Sequence, residues 1–246
     1  MQRPAPGNHE YYTKSKYTDP GTGLPEPAQN GKGYFEYYNG YLTDPASGPR
    51  PAGQAGEPGK GYYSYNLGAW HVIALNAECE NQVGGCDPNG AWLAAQTQWL
   101  RRDLAHNSAD CTMAYWHQPL FTSVDPAPGV DGAATKTWWQ ALYHAGADVV
   151  LNGHDHVYTR WAPQTPDGKV DQKHGIRQFT IGTGGEDLDP LATPLPGAVE
   201  TANDQSYGVM KFSLGKGGYS WRFSSAIGTY TDAGAARCHD GGPDHG

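Results

Sequence analysis

Three short phrases contain the residues whose types best suit catalytic chemistry: Gly7-Asn8-His9-Glu10, Tyr115-Trp116-His117 and Gly153-His154-Asp155-His156. Each places Asn or His just after a turn glycine or an apolar run. Neutral imidazole nitrogens are common ligands of zinc, iron and manganese, and an asparagine side-chain oxygen suits the harder ions of that range. The three phrases together therefore predict a metal site built from distant parts of the chain.

The Gly-His-x-His phrase carries the strongest signal. Gly153 permits a tight turn after the apolar run that ends at Leu151, so that His154 and His156 project to one side. A lone histidine after a strand is more often a hydrogen-bonded structural residue. The candidate metal ligands are Asn8, His117, His154 and His156.

The apolar spacing places these phrases at the ends of strands. The runs Cys111 to Trp116 and Ala147 to Leu151 predict short buried strands, and each ends just before a candidate ligand. In open α/β sheets, ligands bind beyond the carboxyl ends of the strands. We therefore expect the candidate ligands to converge on one edge of a sheet.

Strands and helices alternate in the middle of the chain. Strands are predicted over 62–67 and 70–76. A helix capped by Asn89 is predicted to run to about Asn107, and a second helix is predicted from about Ala134 to Gly146. This alternation predicts a parallel sheet.

The rest of the chain has a different pattern. Three further strands without intervening helices indicate an antiparallel continuation, and they are predicted over 177–182, 208–214 and 219–224. Residues 13–60 are rich in Gly, Pro, Asn and Tyr and predict a long irregular excursion over the surface. Residues 233–246 are predicted to form a C-terminal tail.

The three phrases resemble the motifs of the calcineurin-like metallophosphoesterases, and within them the secreted purple-acid-phosphatase-like branch. The first phrase matches GNH[ED], His117 matches the lone central histidine, and the third matches GHxH. The third continues through Arg160 like the branch's GHxHxYER, with Thr159 in place of Glu. The resemblance covers nearly the whole chain. It implies a catalytic domain over 1–232 with an α/β fold, a β-sandwich flanked by helices in four layers (αββα), truncated at its N-terminus.

The resemblance also implies a site for two metal ions, which would be iron, zinc or manganese. Asn8, His117 and His154 would bind one ion, and His156 would contribute to the other. His9 would stand near the leaving-group oxygen as general acid or electrostatic stabiliser. Two such ions bind phosphoryl oxygens and activate the attacking water. The implied activity is the hydrolysis of phosphoesters.

One part of the family pattern is missing. Family members carry a D-x-H motif and a G-D-x-x-[DY] motif before GNH, and residues 1–6 cannot supply them. We expect a fragment of an active exported enzyme rather than a decayed copy, because the remaining motifs are intact. The active site of this chain alone is expected to be incomplete, so that the chain is a poor catalyst and an upstream-extended version a good one.

The composition limits the partners. The net charge is -8 and no basic stripe is visible, which argues against nucleic acid. No apolar stretch approaches the roughly 18 residues of a membrane helix. We expect a small phosphoester as the substrate, whereas the sequence leaves the oligomeric state open.

The four cysteines favour export to an oxidising compartment. Cys79 and Cys86 flank a short loop that a disulfide would close, which leaves Cys111 to pair with Cys238. The alternative is four reduced thiols in the core of a cytosolic protein. We expect a secreted or extracytoplasmic protein whose signal peptide precedes Met1.

Several other residues allow two interpretations. Asp155 either orients a neighbouring ligand or is solvated in its loop. The tyrosines between residues 11 and 38 either line a substrate groove or pack a loop onto the domain. Residues 186–189 either bind calcium or form a solvated turn, and we favour the turn. The remaining histidines are interpreted as structural or surface residues: His71, His106, His144, His174, His239 and His245.

Three functions fit these observations. The leading hypothesis is a metal-dependent phosphomonoesterase. A phosphodiesterase or nucleotidase would use the same site, since substrate choice depends on loops such as 13–60. The third is a catalytically silent secreted protein that keeps the scaffold as a binding surface.

Overall fold

A computed structural model of the chain describes residues 2–11, 31–39, 54–57, 59–82, 85–125 and 132–239. The α-helices in these residues are α1 (Lys32–Asn39), α2 (Ala91–Ala105) and α3 (Gly132–His144). The strands are β1 (Tyr63–Leu67), β2 (Trp70–Ala74), β3 (Cys111–Tyr115), β4 (Val149–Asn152), β5 (Tyr158–Trp161), β6 (Arg177–Ile181), β7 (Val199–Asn203), β8 (Tyr207–Gly215), β9 (Gly218–Ile227) and β10 (Thr231–Arg237).

The strands form two sheets. The larger one has seven strands in the order β1-β2-β3-β4-β6-β5-β7, and the smaller one has the order β10-β9-β8. In the larger sheet β2, β3, β4 and β6 are parallel, as the alternation of strands and helices predicted for its first three. The smaller sheet is antiparallel.

Strand β6 corrects one prediction. Residues 177–182 were assigned to the antiparallel continuation, but β6 runs parallel to β4 in the larger sheet. The chain between these two strands contains β5 instead of a helix, and β5 is antiparallel to β6. A strand thus takes the place of the crossover helix. Because no helix precedes β6 in the sequence, the pattern predicted an antiparallel strand.

Two hydrophobic cores hold the layers together. Between the larger sheet and helices α2 and α3, buried residues such as Leu93, Leu100, Trp138 and Val150 form one core. Between the two sheets, aromatic residues of the smaller sheet form the other core with residues such as Phe179. The predicted α/β class with a β-sandwich flanked by helices is confirmed.

The outer face of the smaller sheet is open in the described part of the chain. Val209 on this face is 68% exposed, whereas Trp221 and Phe223 face the other sheet and are buried. Among the described residues no helix covers this face, so the structure shows three of the four expected layers.

Several element boundaries differ from the prediction. Helix α2 begins at Ala91 with Gly90 as its N-cap, so Asn89 is not the cap; it lies in the preceding turn, where its backbone N–H donates to Asp87 Oδ1 at 2.9 Å. Helix α1 lies inside the predicted irregular excursion. Residues 12–30 and 40–53 of that excursion are outside the described residues.

The predicted tail also needs a correction. Residues 233–237 belong to β10, whose whole length pairs with β9. The pattern of this strand escaped sequence reasoning because its residues are small or polar. Residues 240–246 lie outside the described part.

Both predicted disulfides are present. Cys79 pairs with Cys86 and Cys111 pairs with Cys238, with Cα separations of 4.8 Å and 5.6 Å. The second bond joins the start of β3 to the residue that follows β10. Among the described helices, none has the length and apolar character needed to cross a membrane.

Candidate functional site

The candidate site lies at the carboxyl edge of the larger sheet. His117 follows β3, and His154 follows β4, which is the neighbouring parallel strand. The backbone N–H of Gly153 donates to the carbonyl of His117 at 3.0 Å, so that the two loops are joined just beyond the strands. The topology brings these two histidines together, as the sequence predicted.

Asn8 reaches the same place from the N-terminal segment. It begins a short 3-10 helix, Asn8–Glu10, and its Oδ1 lies 2.8 Å from His117 Nε2. The backbone N–H of Gly7 donates to Glu10 Oε2 at 2.7 Å and fixes the start of this turn.

Two glycines allow the backbone to approach the His117 ring. A Cβ on Gly7 would lie 2.9 Å from His117 Nδ1, closer than side chains tolerate. A Cβ on Gly153 would lie 3.4 Å from the same atom. The first and third phrases thus use their glycines to enclose His117 between them.

His154 has three unusual properties. Its φ of 63° makes it the only non-glycine residue with positive φ in the described part of the chain. Its ring lies edge-on to that of His117, with 5.0 Å between ring centroids. Its Nε2 is buried and has no hydrogen-bond partner among the described residues.

His117 and His154 are kept neutral by their surroundings. Burial lowers the pKa of His117 to about 3, and the nearby His154, His156 and His9 lower it further. Burial and His156 also lower the pKa of His154. Neutral imidazoles keep a lone pair for a metal ion, and no proton has to be displaced from a cationic ring.

His156 is held by residues that the sequence had not marked as supporting. Its Nδ1 lies 2.9 Å from the carbonyl of Asp187, and its backbone N–H donates to Asp189 Oδ2 at 2.7 Å. Because a carbonyl only accepts, Nδ1 carries the proton and Nε2 keeps its lone pair. Within residues 186–189, Asp187 and Asp189 thus support His156, while Glu186 and Asp187 are exposed, in keeping with the favoured interpretation of a solvated turn. An acidic loop gives no sequence signal for this role.

Asp155 is fully buried, so the interpretation of a solvated loop residue is wrong. Its Oδ2 accepts a hydrogen bond from Thr122 Oγ1 at 2.6 Å. Burial raises the pKa of Asp155 to about 6. Asp155 thus anchors the turn between His154 and His156 to the loop after His117.

His9 follows Asn8 and is exposed at the surface of the site. It lies close enough to lower the pKa of both His117 and His154. An exposed imidazole beside two partly buried ones is placed to meet a ligand that approaches from solvent.

Other histidines lie elsewhere. His71 is buried and lies 2.7 Å from both Asn66 Oδ1 and Asp103 Oδ2, which confirms a structural role. His106 lies at the end of α2, where its Nδ1 is 2.7 Å from the carbonyl of Arg102. His245 is outside the described residues.

One other group of potential ligands carries no metal chemistry. Cys111, Asp148 and Cys238 bring ligand atoms within 4.8 Å of one another. Both sulfurs belong to the disulfide, however, and cannot bind an ion as thiolates.

Comparisons with known proteins agree with this geometry, although the chain matches no family model. It is 30% identical over 113 residues to purple acid phosphatase 15 of Arabidopsis thaliana, covering 45% of this chain and 20% of that protein. It is 25% identical over 203 residues to an uncharacterised protein of Mycobacterium tuberculosis, covering 74% of this chain and 35% of that protein. The chain thus spans about a fifth to a third of the length of these relatives.

The fold has a counterpart among solved structures. Purple acid phosphatase PPD1 from seeds of yellow lupin (Lupinus luteus) superimposes with a TM-score of 0.63 at 16% identity, covering 96% of this chain and 40% of that one. At this identity the likeness is one of fold. The chain is thus similar in sequence to purple acid phosphatases and in fold to one of them.

Asn8 and His117 place their donor atoms at a spacing that suits one metal ion. Two ligand atoms about 2.1 Å from a common ion and at right angles are about 3 Å apart. The 2.8 Å between Asn8 Oδ1 and His117 Nε2 matches that spacing. The unpartnered Nε2 of His154 supplies a third donor.

Three tyrosines hold the segment that carries Asn8. Tyr34 and Tyr63 donate to the carbonyl of Pro4 at 3.0 Å and 2.7 Å, and Tyr115 donates to the carbonyl of Arg3 at 2.8 Å. Tyr11 is fully buried. Tyr11 and Tyr34 therefore pack chain segments onto the domain, whereas Tyr37 is exposed. Tyr12 and Tyr17 lie outside the described residues.

Proposed function

We propose that this chain carries the site of a metal-dependent phosphoester hydrolase of the phosphatase type, with a small phosphoester as substrate. One observation carries the proposal. Asn8, His117 and His154 come from three distant segments and approach one another at one sheet edge: Asn8 Oδ1 lies 2.8 Å from His117 Nε2, and the His117 and His154 rings lie 5.0 Å apart.

Asn8, His117 and His154 would hold the first ion, and His156 would contribute to a second. The ions would be iron, zinc or manganese, since the donors are imidazole nitrogens and an amide oxygen. When bound, such ions polarise the phosphoryl group and activate water for attack. The hydrogen bond from His156 Nδ1 to Asp187 keeps Nε2 available and fixes the ring.

His9 would supply the proton that the leaving group needs. It follows the ligand Asn8 directly, is exposed, and lies close enough to His117 and His154 to lower the pKa of both. The leaving alkoxide is a strong base, and an imidazole can protonate it near neutral pH.

The two disulfides support a location outside the cytosol, because disulfides persist in oxidising compartments. We therefore propose a secreted or extracytoplasmic protein. The net charge of -8 supports a small substrate over nucleic acid.

The test combines metal binding with hydrolysis. Manganese and zinc binding are measured by calorimetry, and turnover is measured with p-nitrophenyl phosphate and its bis-ester. N8A and H117A should weaken metal binding and, in the upstream-extended version, reduce metal-dependent turnover by at least about 100-fold. H106Q removes a surface histidine and should change neither quantity.

The turnover of H9A distinguishes the role of a proton donor from that of a metal ligand. We expect metal binding to persist and turnover to fall by about 100-fold or more. The proposal fails if the chelator-treated protein hydrolyses either ester as fast as the metal-loaded protein. The ratio of rates for the two esters distinguishes a monoesterase from a diesterase.

A further inference from the structure

Asn76, which lies just beyond the end of β2, is a buried polar residue whose side-chain amide is fully paired. The residue is 0% exposed. Its Nδ2 donates to Tyr11 Oη at 2.9 Å and to the carbonyl of Lys60 at 2.8 Å, and its Oδ1 accepts from the backbone N–H of Glu78 at 3.0 Å. Because a carbonyl only accepts and a backbone N–H only donates, these partners fix the orientation of the amide.

Helix α2 holds the backbone of Asn76. The backbone N–H of Asn76 donates to Gln96 Oε1 at 2.8 Å, and its carbonyl accepts from Gln96 Nε2 at 2.9 Å. Gln96 is also 0% exposed. Buried polar groups that are all paired hold their residues in one rigid arrangement. Asn76 is therefore a fixed point from which other segments of the chain can be positioned.

One arm of this network leads to Asn8. Tyr11, the residue after the short 3-10 helix, is 0% exposed, and its backbone N–H donates to the carbonyl of Asn8 at 3.0 Å. A Cβ on Gly31 would lie 3.1 Å from the Tyr11 ring, so the ring is closely packed. The hydrogen bond from Asn76 to the Tyr11 hydroxyl thus fixes the end of the turn that carries Asn8.

The other arm leads to His117. Glu78, whose backbone N–H is bound by Asn76, is 3% exposed, and its Oε1 accepts from Gln118 Nε2 at 2.6 Å. Gln118 follows His117 directly, and its carbonyl accepts from Trp116 Nε1 at 2.7 Å. Glu78 therefore holds the loop that carries His117.

We propose that Asn76 and Glu78 are positioning residues that join the two arms and set the 2.8 Å separation between Asn8 Oδ1 and His117 Nε2. Neither residue is a candidate ligand itself. An ion bound by both donor atoms needs this separation, so the link should increase metal affinity. That consequence rests on the proposed function, whereas the geometry of the metal-free site does not.

Imidazole NMR of the full, metal-free chain tests the geometry. At pH 8 the Glu78 carboxyl is ionised, although burial raises its pKa to about 7. Because an amide oxygen only accepts, His117 should carry its proton on Nε2 in wild type. Y11F and E78M each remove one hydrogen bond from one arm and should give a mixture of the two tautomers. E78Q keeps an acceptor for Gln118 and should show the wild-type tautomer.

Zinc titration of the same proteins by calorimetry tests the consequence for metal affinity. Y11F and E78M should bind zinc at least about 10-fold more weakly, and E78Q should bind it like wild type. T97V is the matched control, since it removes a buried hydrogen bond between α2 and α3 that Trp138 Nε1 donates to Thr97 Oγ1 at 3.1 Å. It should lose stability without any change in tautomer or zinc affinity. If E78M does not fold, Q118M removes the same hydrogen bond from its half-buried donor.

The wild-type tautomer, or wild-type zinc affinity, in both Y11F and E78M would overturn the proposal. An effect of only one variant would overturn it too, since the two arms would then act independently. An equal loss of affinity in T97V would show general destabilisation instead of positioning. If wild type itself binds no zinc, the proposed hydrolase site fails, and the tautomers alone decide whether the link exists.

Discussion

His154 combines two local penalties at one position. A non-glycine residue in the left-handed region costs about 1–2 kcal/mol, and a buried polar atom without a partner costs about 1–3 kcal/mol. Its φ is 63°, and its Nε2 has no partner among the described residues. A bound ion would remove the second penalty but not the first. Such residues concentrate at ligand sites, where the surrounding structure enforces them.

The backbone penalty at His154 can be measured separately from the role of its ring. H154A and H154G both remove the imidazole, but only alanine keeps a Cβ in the left-handed region. We expect the free energy of unfolding of H154G to be about 1 kcal/mol larger than that of H154A. Urea denaturation of the metal-free variants measures this difference. Both variants should lose metal binding. Equal stabilities would show that the turn relaxes and holds no strain.

The identity of the site residues could be predicted from the sequence, but their supports could not. Asn8, His117 and His154 each follow a turn glycine or a strand end, and that local pattern is visible in one dimension. The burial of Asp155 and the hydrogen bond from the His156 backbone to Asp189 depend on loops that meet only in the folded chain. No periodicity encodes such contacts.

At the level of elements, the N-terminal segment is positioned by strands and a helix from elsewhere. Tyr63 at the start of β1 and Tyr115 at the end of β3 bind its carbonyls, and their hydroxyls lie 3.2 Å apart. These bonds hold residues 3 and 4, and the chain then leads directly to Gly7 and Asn8. The tyrosines thus position a candidate ligand without touching it.

The double variant Y63F/Y115F removes these hydroxyls and keeps the rings. We expect manganese or zinc affinity to fall by about 10-fold or more, because Asn8 loses its fixed position relative to His117. Y230F is the matched control, since the Tyr230 hydroxyl bonds Thr201 Oγ1 at 2.6 Å in another region. If Y63F/Y115F and Y230F lose the same amount of stability and neither loses metal affinity, Tyr63 and Tyr115 have only a structural role.

Elements with strong apolar periodicity could be predicted, whereas short polar ones could not. Helix α3 and strands β2 to β4 have continuous apolar runs or helical spacing. Strand β7 reads Val-Glu-Thr-Ala-Asn and is never fully buried, so its pairing with β5 rests on backbone bonds. Helix α1 is only eight residues long, and its Tyr34 and Phe35 are buried by packing against distant residues. Tertiary contacts create these elements.

For the whole molecule, buried carboxyls link stability to pH. Burial raises the pKa of Glu78 and of Asp148 to about 7 each. Asp148 accepts from the backbone N–H groups of Thr112 at 2.8 Å and His239 at 2.7 Å, and so ties β3 to the end of β10. A carboxyl whose folded pKa exceeds its unfolded value stabilises the fold most at low pH. That contribution is lost as pH rises through the folded pKa.

Asp148 therefore predicts a pH-dependent difference between wild type and D148N. The unfolded carboxyl releases its proton near pH 3.8, whereas the folded one keeps it to about pH 7. Between these values the unfolding free energy of wild type should fall relative to D148N by about 1.4 kcal/mol per pH unit. Urea denaturation of the metal-free proteins from pH 4 to pH 8 measures this slope. A difference that does not change with pH would show that Asp148 is already ionised in the fold.

A crystal structure of the manganese-loaded protein, with anomalous scattering recorded at the manganese edge, tests the proposed metal site most directly. We expect an anomalous peak between the Oδ1 of Asn8, the Nε2 of His117 and the Nε2 of His154, within about 2.0–2.3 Å of each atom. His156 Nε2 should lie next to that position with its Nδ1 still bound to Asp187. A peak located elsewhere, or a metal-loaded crystal in which Asn8 Oδ1 still bonds His117 and no ion lies beside His154, would contradict the assignment.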